Sequence, residues 1–374
     1  MDRDINNSSN RILSIDALRG FDMFWIIGGS ELAIALLALS SAPWAQRLSS
    51  EFIHSGWNGF TFYDLVFPLF LFIVGLVIPF SLARFKNGAE IDLKHAYARI
   101  ILRVIILFFL GLCMNGFLDF NFAAMRWPGV LQRIAVCYLL SAILALHIPP
   151  RLQTRVLGII VFMILAGYWI VIKFVLAPGV GAVEYLSREG NLAGYIDRLL
   201  IPGRLYYEFG DNEGILSTIP ALATTLMGVL TGVTLKSPKS QIYKILWMLI
   251  CGCIFMISGI LWSFLFPLNK ILWTSSFVLV SGGCSLLLLC LFYWLIDYKG
   301  YKKWAFPFIV IGMNAITIYI IQGLFDFGIL VNIVIHGFAG YLGSIKEIFF
   351  LVCLIFVKWF FLYFLYKKKI FLKI

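Results

Sequence analysis

The feature that most restricts the fold of this chain is a series of ten apolar runs, each of about 20 residues. An apolar run of that length crosses the hydrocarbon core of a bilayer as one helix. The chain is 61% hydrophobic and only 13% charged, whereas a soluble domain is nearer half apolar and a quarter charged. We therefore predict an all-α, polytopic membrane helix bundle. Its transmembrane helices are predicted at 12–39, 60–83, 98–118, 129–148, 155–177, 214–235, 243–266, 271–296, 305–324 and 346–367.

Most lysine and arginine residues fall in alternate connections between these predicted helices, and the last cluster is Lys367, Lys368 and Lys369. The positive-inside rule then predicts cytoplasmic N- and C-termini, as in a bacterial inner membrane protein. This alternation requires that 325–345 does not cross, so we predict an interfacial or re-entrant segment on the outer side. The net charge of +11 reflects this topology and does not indicate a nucleic-acid partner. We interpret 1–374 as a single multipass domain, with 178–213 as a long outer-side loop region.

The most informative polar stretch is His54-Ser55-Gly56-Trp57-Asn58-Gly59, directly before the second apolar run. Thr61 and Asp64 follow with the spacing of a capping box, which predicts that a helix begins near Thr61. Histidine gains and loses a proton near neutral pH more readily than other side chains. We therefore predict that this turn is the chemical centre. A helix start with an interfacial tryptophan and a solvated histidine is the alternative, and spacing alone leaves it open.

Several charged or polar side chains interrupt the apolar runs, where charge is costly and is usually paired or lines a cavity. In the first predicted helix, Asp16, Arg19 and Asp22 share a broad face. Arg19 is interpreted either as part of a structural ion pair or as a contact for the phosphates of a cofactor. The other such residues indicate a polar cavity open to the outer side, or else ordinary hydrogen bonds between helices. They include Gln132, Arg133, Glu213 and Asn314.

Two absences in the sequence narrow the possible functions. There is no Gly-Lys-Ser/Thr phosphate-binding loop, which argues against an ATP-driven pump. The four histidines lack metal-ligand spacing, so we predict no metal site. All seven cysteines fall within apolar runs, which gives no indication of a disulfide framework.

Short motifs recur in chain order across nearly the whole sequence. They are Ser14–Gly20, His54–Gly59, Asp64–Pro68, Gly129–Arg133, Gly194–Arg198, Glu213–Ile219, Gly312–Asn314 and the tail Lys368–Ile374. In combination they resemble the heparan-α-glucosaminide N-acetyltransferase family. The chain lacks the large luminal N-terminal domain of that family, so it resembles a minimal, bacterial version. It also carries Ile27-Gly28-Gly29-Ser30 where the family has an asparagine, and Gln322 where a His-Glu pair is expected.

The resemblance implies a transmembrane enzyme that takes an acetyl group from cytoplasmic acetyl-CoA and delivers it to an amino sugar beyond the membrane. The essential histidine of the family maps onto His54. The implied partners are acetyl-CoA, an amino sugar or glycan acceptor and the lipid bilayer. The predicted catalytic residues are His54, Asn58 and Asp64; the predicted cofactor-binding residues are Asp16, Arg19, Gln132 and Arg133; the predicted substrate-binding residues are Trp57, Asp197, Arg198, Glu213 and Asn314.

Chemistry supports this interpretation, because an amine that attacks a thioester needs a base and donors for the oxyanion. His54 can act as the base or can itself take the acetyl group. Two other classes of function remain as alternatives. One is a transporter or flippase for a sugar or lipid-linked glycan, and the other is a polysaccharide O-acetyltransferase. The identity of the acceptor, the length of the acyl chain and a homodimeric state are left open by the sequence.

Overall fold

The computed structural model describes residues 12–87, 90–181, 184–337 and 339–372, and these are predominantly helical. The α-helices are, in chain order, α1 (Leu13–Phe24), α2 (Ser30–Leu37), α3 (Pro43–Ser50), α4 (Val66–Leu82), α5 (Leu93–Met114), α6 (Val130–His147), α7 (Pro150–Phe174), α8 (Leu192–Leu200), α9 (Thr218–Lys236), α10 (Gln241–Ser263), α11 (Ser275–Phe292), α12 (Phe306–Met313), α13 (Ala315–Leu324), α14 (Phe327–Ile335) and α15 (Lys346–Lys367).

Shorter elements extend or join these helices. A 3₁₀ turn, Phe62–Leu65, leads directly into α4, and another, Ala339–Ile345, leads into α15. The remaining 3₁₀ turns are Ala83–Phe85 and Phe117–Asp119, and π-helical turns occupy Trp25–Gly29 and Tyr293–Tyr298. The strands β1 (Lys86–Asn87) and β2 (Glu90–Ile91) form a small antiparallel pair in which Lys86 lies opposite Ile91.

Nine helices in the described ranges are long and apolar enough to cross a membrane, and the number is ten if the pair α12 and α13, bent by 68°, is counted as one span. The predicted all-α, polytopic membrane bundle with about ten transmembrane helices is confirmed. Two helices begin earlier than predicted, at Leu93 and Pro150. Their first turns carry polar or basic residues, which a search for apolar runs passes over. Asp92 caps α5, because its side chain accepts a hydrogen bond from the backbone N–H of His95.

The described residues group into two compact units. The first contains 12–49, 241–249 and 286–372, and the second contains 50–240 and 250–285. The region 178–213 contains α8, and 325–345 contains α14 and a 3₁₀ turn. The functional roles assigned to these two regions, and the treatment of 1–374 as one domain, stay predictions.

In the second unit, α4 and α9 pack with their backbones in contact. A Cβ atom added at Gly75 would lie against the carbonyl of Thr225, and one added at Gly228 would lie against the carbonyl of Phe72. Small residues commonly allow this close approach in membrane bundles. Large side chains of α4, such as Leu71 and Phe72, are fully buried. This crossing forms the core of the second unit.

In the first unit, the predicted span 12–39 corresponds to Leu13–Leu37, and this span contains a break. A π-helical turn separates α1 from α2, and within it Gly28 has a φ of 138°. Such a backbone conformation is accessible to glycine but strained for other residues. The ammonium of Lys358 donates hydrogen bonds to the carbonyl of Ile27 (2.8 Å) and to Oε1 of Gln322 (3.3 Å). The interruption is thus stabilised by a buried lysine from α15.

Candidate functional site

Connections from four parts of the second unit meet at one end of it. The backbone N–H of Gly59 donates to the carbonyl of Leu268 (2.8 Å), and Nε1 of Trp57 donates to the carbonyl of Leu186 (2.9 Å). The backbone N–H of Arg204 donates to the carbonyl of Met125 (3.0 Å). These four connections alternate along the chain with the basic connections, so the predicted topology puts all four on one side of the membrane. Which side of the membrane they face stays a prediction.

Asp64 fixes the shape of the turn that carries His54. The capping box predicted from the sequence is confirmed, since Asp64 accepts hydrogen bonds from the backbone N–H (3.2 Å) and the hydroxyl (3.1 Å) of Thr61. The carboxylate is fully buried and also accepts from the backbone N–H of Ser55 (3.2 Å). Its oxygens therefore close the loop from residue 55 to residue 64.

His54 is joined to this carboxylate, with 2.9 Å between Nδ1 and Oδ1 of Asp64. An ionised carboxylate only accepts hydrogen bonds. Nδ1 therefore carries the proton of this bond, and in the neutral imidazole Nε2 carries the lone pair. The side chain of His54 is 51% exposed, and its ring packs against that of Tyr63 with 4.6 Å between centroids. The arrangement is that of an oriented histidine with an accessible basic nitrogen.

Lys270 completes this cluster, although it was not among the residues predicted from the sequence. Its Nζ lies 2.9 Å from Nδ1 and 3.0 Å from Nε2 of His54, and 3.6 Å from Oδ1 of Asp64. Burial lowers the pKa of Lys270 below its ordinary value, against the opposing effects of Asp64 and Glu213. One signal was available in the sequence. Lys270 is the one basic residue of 264–274, and predicted outer loops are otherwise poor in lysine.

Asn58 and Trp57 are both held by neighbouring loops. Oδ1 of Asn58 accepts a hydrogen bond from Nδ2 of Asn269 (3.2 Å). The ring of Trp57 makes an edge-on contact with Phe209, at 5.4 Å between centroids, and the guanidinium of Arg188 lies 5.8 Å from its ring. These contacts bring both residues to the same end of the unit as His54. The catalytic role of Asn58 and the substrate contact of Trp57 stay predictions.

A second charged cluster lies on the connections before α6 and α9. Nε of Arg126 donates to Oδ2 of Asp211 (2.9 Å), Nη2 donates to Oδ1 of the same carboxylate (2.5 Å), and Nη2 also pairs with Glu213. Burial alone would lower the pKa of Arg126, but the two carboxylates raise it above its ordinary value. Glu213, predicted to bind substrate, is therefore already engaged by a cation. Arg126 was not among the predicted site residues.

Asp197 and Arg198 support the same loop. Oδ1 of Asp197 accepts from the backbone N–H of Ile215 (2.9 Å), and Oδ2 accepts from that of Asp211 (3.2 Å). Burial raises the pKa of Asp197 to about 6. The guanidinium of Arg198 donates to the carbonyl of Phe209. These bonds show how the loop is held, and the substrate-binding role assigned to both residues stays a prediction.

Arg133 is almost fully buried in the first turn of α6. Its Nη2 donates to the hydroxyl of Ser217 (2.5 Å), and its guanidinium lies 5.0 Å from the ring centroid of Trp273. Nε and Nη1 make no hydrogen bond. Gln132 donates from Nε2 to the carbonyl of Trp127 (3.2 Å), while its buried Oε1 also has no partner. These unused polar atoms could bind a ligand that carries hydrogen-bond acceptors and donors.

Comparison with known proteins supports the resemblance read from the sequence. No protein-family model matches this chain. The heparan-alpha-glucosaminide N-acetyltransferases of Mus musculus and Homo sapiens are each 28% identical to it, over alignments that cover 84% of the chain. The resemblance to the heparan-α-glucosaminide N-acetyltransferases is thereby confirmed. The chain spans about half the length of these curated relatives, 53% in each case.

Three residues predicted from this resemblance or from intramembrane polarity lie in the first unit rather than the second. Asp16 is buried and Arg19 is half-buried, both in α1. Asn314 stands at the bend between α12 and α13, and its Nδ2 donates to the carbonyl of Ile370 (3.2 Å). The cofactor-binding and substrate-binding roles of these residues stay predictions.

A metal centre has no obvious position in the part of the chain that the structure describes. No group of three or more histidine, cysteine, aspartate or glutamate side chains there is arranged to hold a metal ion.

Proposed function

We propose that this chain is a membrane acetyltransferase that moves an acetyl group from acetyl-CoA to the amino group of a glucosamine-type sugar. The observation that carries the proposal is the His54–Asp64 pair, at 2.9 Å, on an accessible end of the second unit. The similarity to the two N-acetyltransferases supports it. We place the acceptor on the periplasmic or luminal side and both termini in the cytoplasm, following the positive-inside rule.

In the proposed reaction, Nε2 of His54 takes a proton from the acceptor amine as its nitrogen attacks the thioester carbonyl carbon. A C–N bond forms, the C–S bond breaks, and CoA leaves as a thiolate that takes up the proton from His54. Asp64 holds the imidazole in the productive tautomer and stabilises the imidazolium, as a carboxylate does in hydrolase triads. In the alternative order, Nε2 attacks first and an acetyl-histidine then passes the acetyl group to the amine.

Two buried residues of α6, Arg133 and Gln132, have spare hydrogen-bonding capacity for the donor in this proposal. Nε and Nη1 of the buried Arg133 have no partner, and the amide carbonyls of a pantetheine arm are suitable acceptors for them. Gln132 is proposed to serve the same arm. Arg19, with Asp16, is proposed to contact the CoA phosphates, because a guanidinium matches phosphate geometry.

The test is an acetyl-transfer assay on the purified protein in detergent micelles, with labelled acetyl-CoA and glucosamine. His54→Ala should lose about 10²- to 10⁴-fold in transfer rate, as expected for loss of a general base, and should still bind acetyl-CoA. His95→Ala is the matched control, since His95 is exposed and bonds to Asp92. Near-normal transfer by a folded His54→Ala protein would contradict the proposal.

The order of the two chemical steps has its own measurement. Incubation with labelled acetyl-CoA alone should label His54 and release CoA if an acetyl-histidine forms. Direct transfer predicts no label on the protein until an acceptor is added. Peptide mass spectrometry around His54 separates the two outcomes.

Transport of a sugar is the second candidate, and one observation in the first unit favours it. Two of its predicted spans are interrupted, at Trp25–Gly29 and at Asn314, and transporters commonly use broken helices at their binding sites. A transporter would carry labelled glucosamine into proteoliposomes without acetyl-CoA. The acetyltransferase proposal expects no such uptake and expects product to form only when acetyl-CoA is present.

A further inference from the structure

The ammonium of Lys270 lies next to the nitrogen of His54 that the proposed reaction uses. Nζ lies 2.9 Å from Nδ1 and 3.0 Å from Nε2, and in the neutral ring Nε2 is the unprotonated nitrogen because Nδ1 donates to Asp64. A group that reacts at Nε2 would therefore come within reach of the Lys270 N–H donors. The side chain is only 20% exposed, so these donors are partly shielded from water.

The position of Lys270 is set by the same hydrogen bonds that hold the His54 turn. Leu268 accepts from the backbone N–H of Gly59 (2.8 Å), and Asn269 donates from Nδ2 to Asn58 (3.2 Å). Oδ1 of Asn269 also accepts from the backbone N–H of Leu272 (2.8 Å), which closes the turn around Lys270. The residues on either side of Lys270 are therefore fixed, and preorganised donors of this kind are effective in catalysis.

Lys270 also forms an ion pair with Asp64, but across a longer distance than its contacts with the imidazole. Nζ of Lys270 is 3.6 Å from Oδ1 of Asp64, which is beyond a good hydrogen bond. The carboxylate already receives hydrogen bonds from Ser55, Thr61 and His54. The closest polar atoms to the ammonium are Nδ1 (2.9 Å) and Nε2 (3.0 Å) of the imidazole, so the ammonium lies beside the ring that carries the reacting nitrogen.

We propose that Lys270 is a catalytic residue that donates a hydrogen bond to the thioester oxygen as this oxygen becomes negatively charged. The inference rests on the proposed acetyltransferase function. Attack at the carbonyl carbon forms the C–N bond and moves the C=O π pair onto oxygen, where Lys270 stabilises it. When the C=O bond re-forms, the C–S bond breaks and the thiolate takes the proton held by His54. Lys270 keeps its own proton throughout.

This assignment has a consequence for the pH dependence of the reaction. The titratable groups that face Lys270 in the described residues are His54, Asp64 and Glu213. Burial lowers the pKa of Lys270 despite the two carboxylates, so the ammonium is lost at a pH below that of an ordinary lysine. The turnover number kcat of the wild-type protein should fall on the alkaline side as Lys270 loses its proton.

The experiment measures kcat and KM for acetyl-CoA, with glucosamine as acceptor, across pH 6 to about 10.5, the ordinary lysine pKa. Lys270→Met should lower kcat by about 10²- to 10³-fold, the loss typical of one oxyanion donor, with KM unchanged. Lys270→Arg keeps the charge and does not titrate in this range, so its alkaline fall in kcat should disappear. A folded Lys270→Arg protein that binds acetyl-CoA but is inactive also supports the inference, because the geometry of the ammonium is then required. Lys173→Met is the matched control, since Lys173 lies against Trp169 and Phe174.

Three results would overturn the inference. The first is a Lys270→Met protein with wild-type kcat. The second is a Lys270→Arg protein that keeps the wild-type alkaline fall. The third is a Lys270→Met protein that transfers normally but hydrolyses acetyl-CoA faster without acceptor, which would make Lys270 a shield for His54. If the wild-type protein itself transfers no acetyl group, the proposed function fails instead, so the two failures are distinguishable.

Discussion

Replacing Arg126 by methionine should destabilise the loop that joins α8 to α9 more than any exposed charge would. Arg126 is 20% exposed, while its partners Asp211 and Glu213 are 0% and 9% exposed. Removing one partner of a buried ion pair costs about 3–5 kcal/mol, because the other charge is left uncompensated. Arg126→Met leaves two such carboxylates, so we expect a loss near 5 kcal/mol, at the upper end of that range.

The assay is unfolding in an SDS titration, followed by tryptophan fluorescence. Arg151→Met is the control, since Arg151 is exposed, and it should change the free energy of unfolding by no more than about 0.5 kcal/mol. A loss below about 1 kcal/mol, the value of an exposed pair, would refute the view that this cluster holds the loop.

Three further predictions concern other parts of the chain. Burial raises the pKa of Asp197 from its ordinary value of 3.8 to about 6. The contribution of Asp197 to stability is therefore fully present below pH 3.8 and is lost as the pH rises through 6. In a pH series of SDS titrations, the free energy of unfolding should fall by about 3 kcal/mol over this range, and Asp197→Asn should lack this fall. Gly75→Leu should prevent α4 and α9 from packing and give no monodisperse protein in size-exclusion chromatography, whereas Gly158→Leu, at an open position, should elute normally. Lys358→Met should free the carbonyl of Ile27 and lower the free energy of unfolding by about 1–3 kcal/mol, the cost of an unsatisfied buried group, and an unchanged SDS midpoint would show that this bond is dispensable.

The membrane helices were predictable because the bilayer imposes them. A chain that crosses hydrocarbon must satisfy its backbone hydrogen bonds internally, so an apolar run of sufficient length becomes a helix. The capping box at Thr61 and Asp64 was equally predictable from the sequence, since its partners are three residues apart. Both signals are local, and the structure agrees with both.

The interruptions within helices were harder to predict. Membrane helices tolerate glycine, so Gly28-Gly29 inside an apolar run gives little warning of a break. The π-helical turn is stabilised by Lys358, which is far away in the sequence. The bend at Asn314 involves the carbonyl of Ile370, another distant group. Breaks held by tertiary contacts leave no periodic pattern in the sequence.

The residues of the candidate site could be predicted from the sequence only in part, because several of their contacts also join distant segments. His54 and Asp64 lie on one short turn and were identified together. Lys270 reaches His54 across a separation of 216 residues, and Arg126 reaches Asp211 across 85. No spacing rule links such pairs. Only an unusual location, such as a lone lysine in a predicted outer loop, could have indicated them.

The close crossing of α4 and α9 also has a consequence for biosynthesis. Gly75 meets Thr225, and Gly228 meets Phe72, so the core of the second unit joins a helix made early to one made much later. During translation, α4 enters the membrane with its glycine surface facing lipid or the insertion machinery until α9 emerges. Contacts between such distant segments form late. A chain stalled on the ribosome before Thr218 should therefore have its early helices in the membrane without the α4–α9 packing that forms the core of the second unit. Quality-control proteases would encounter the chain in that state.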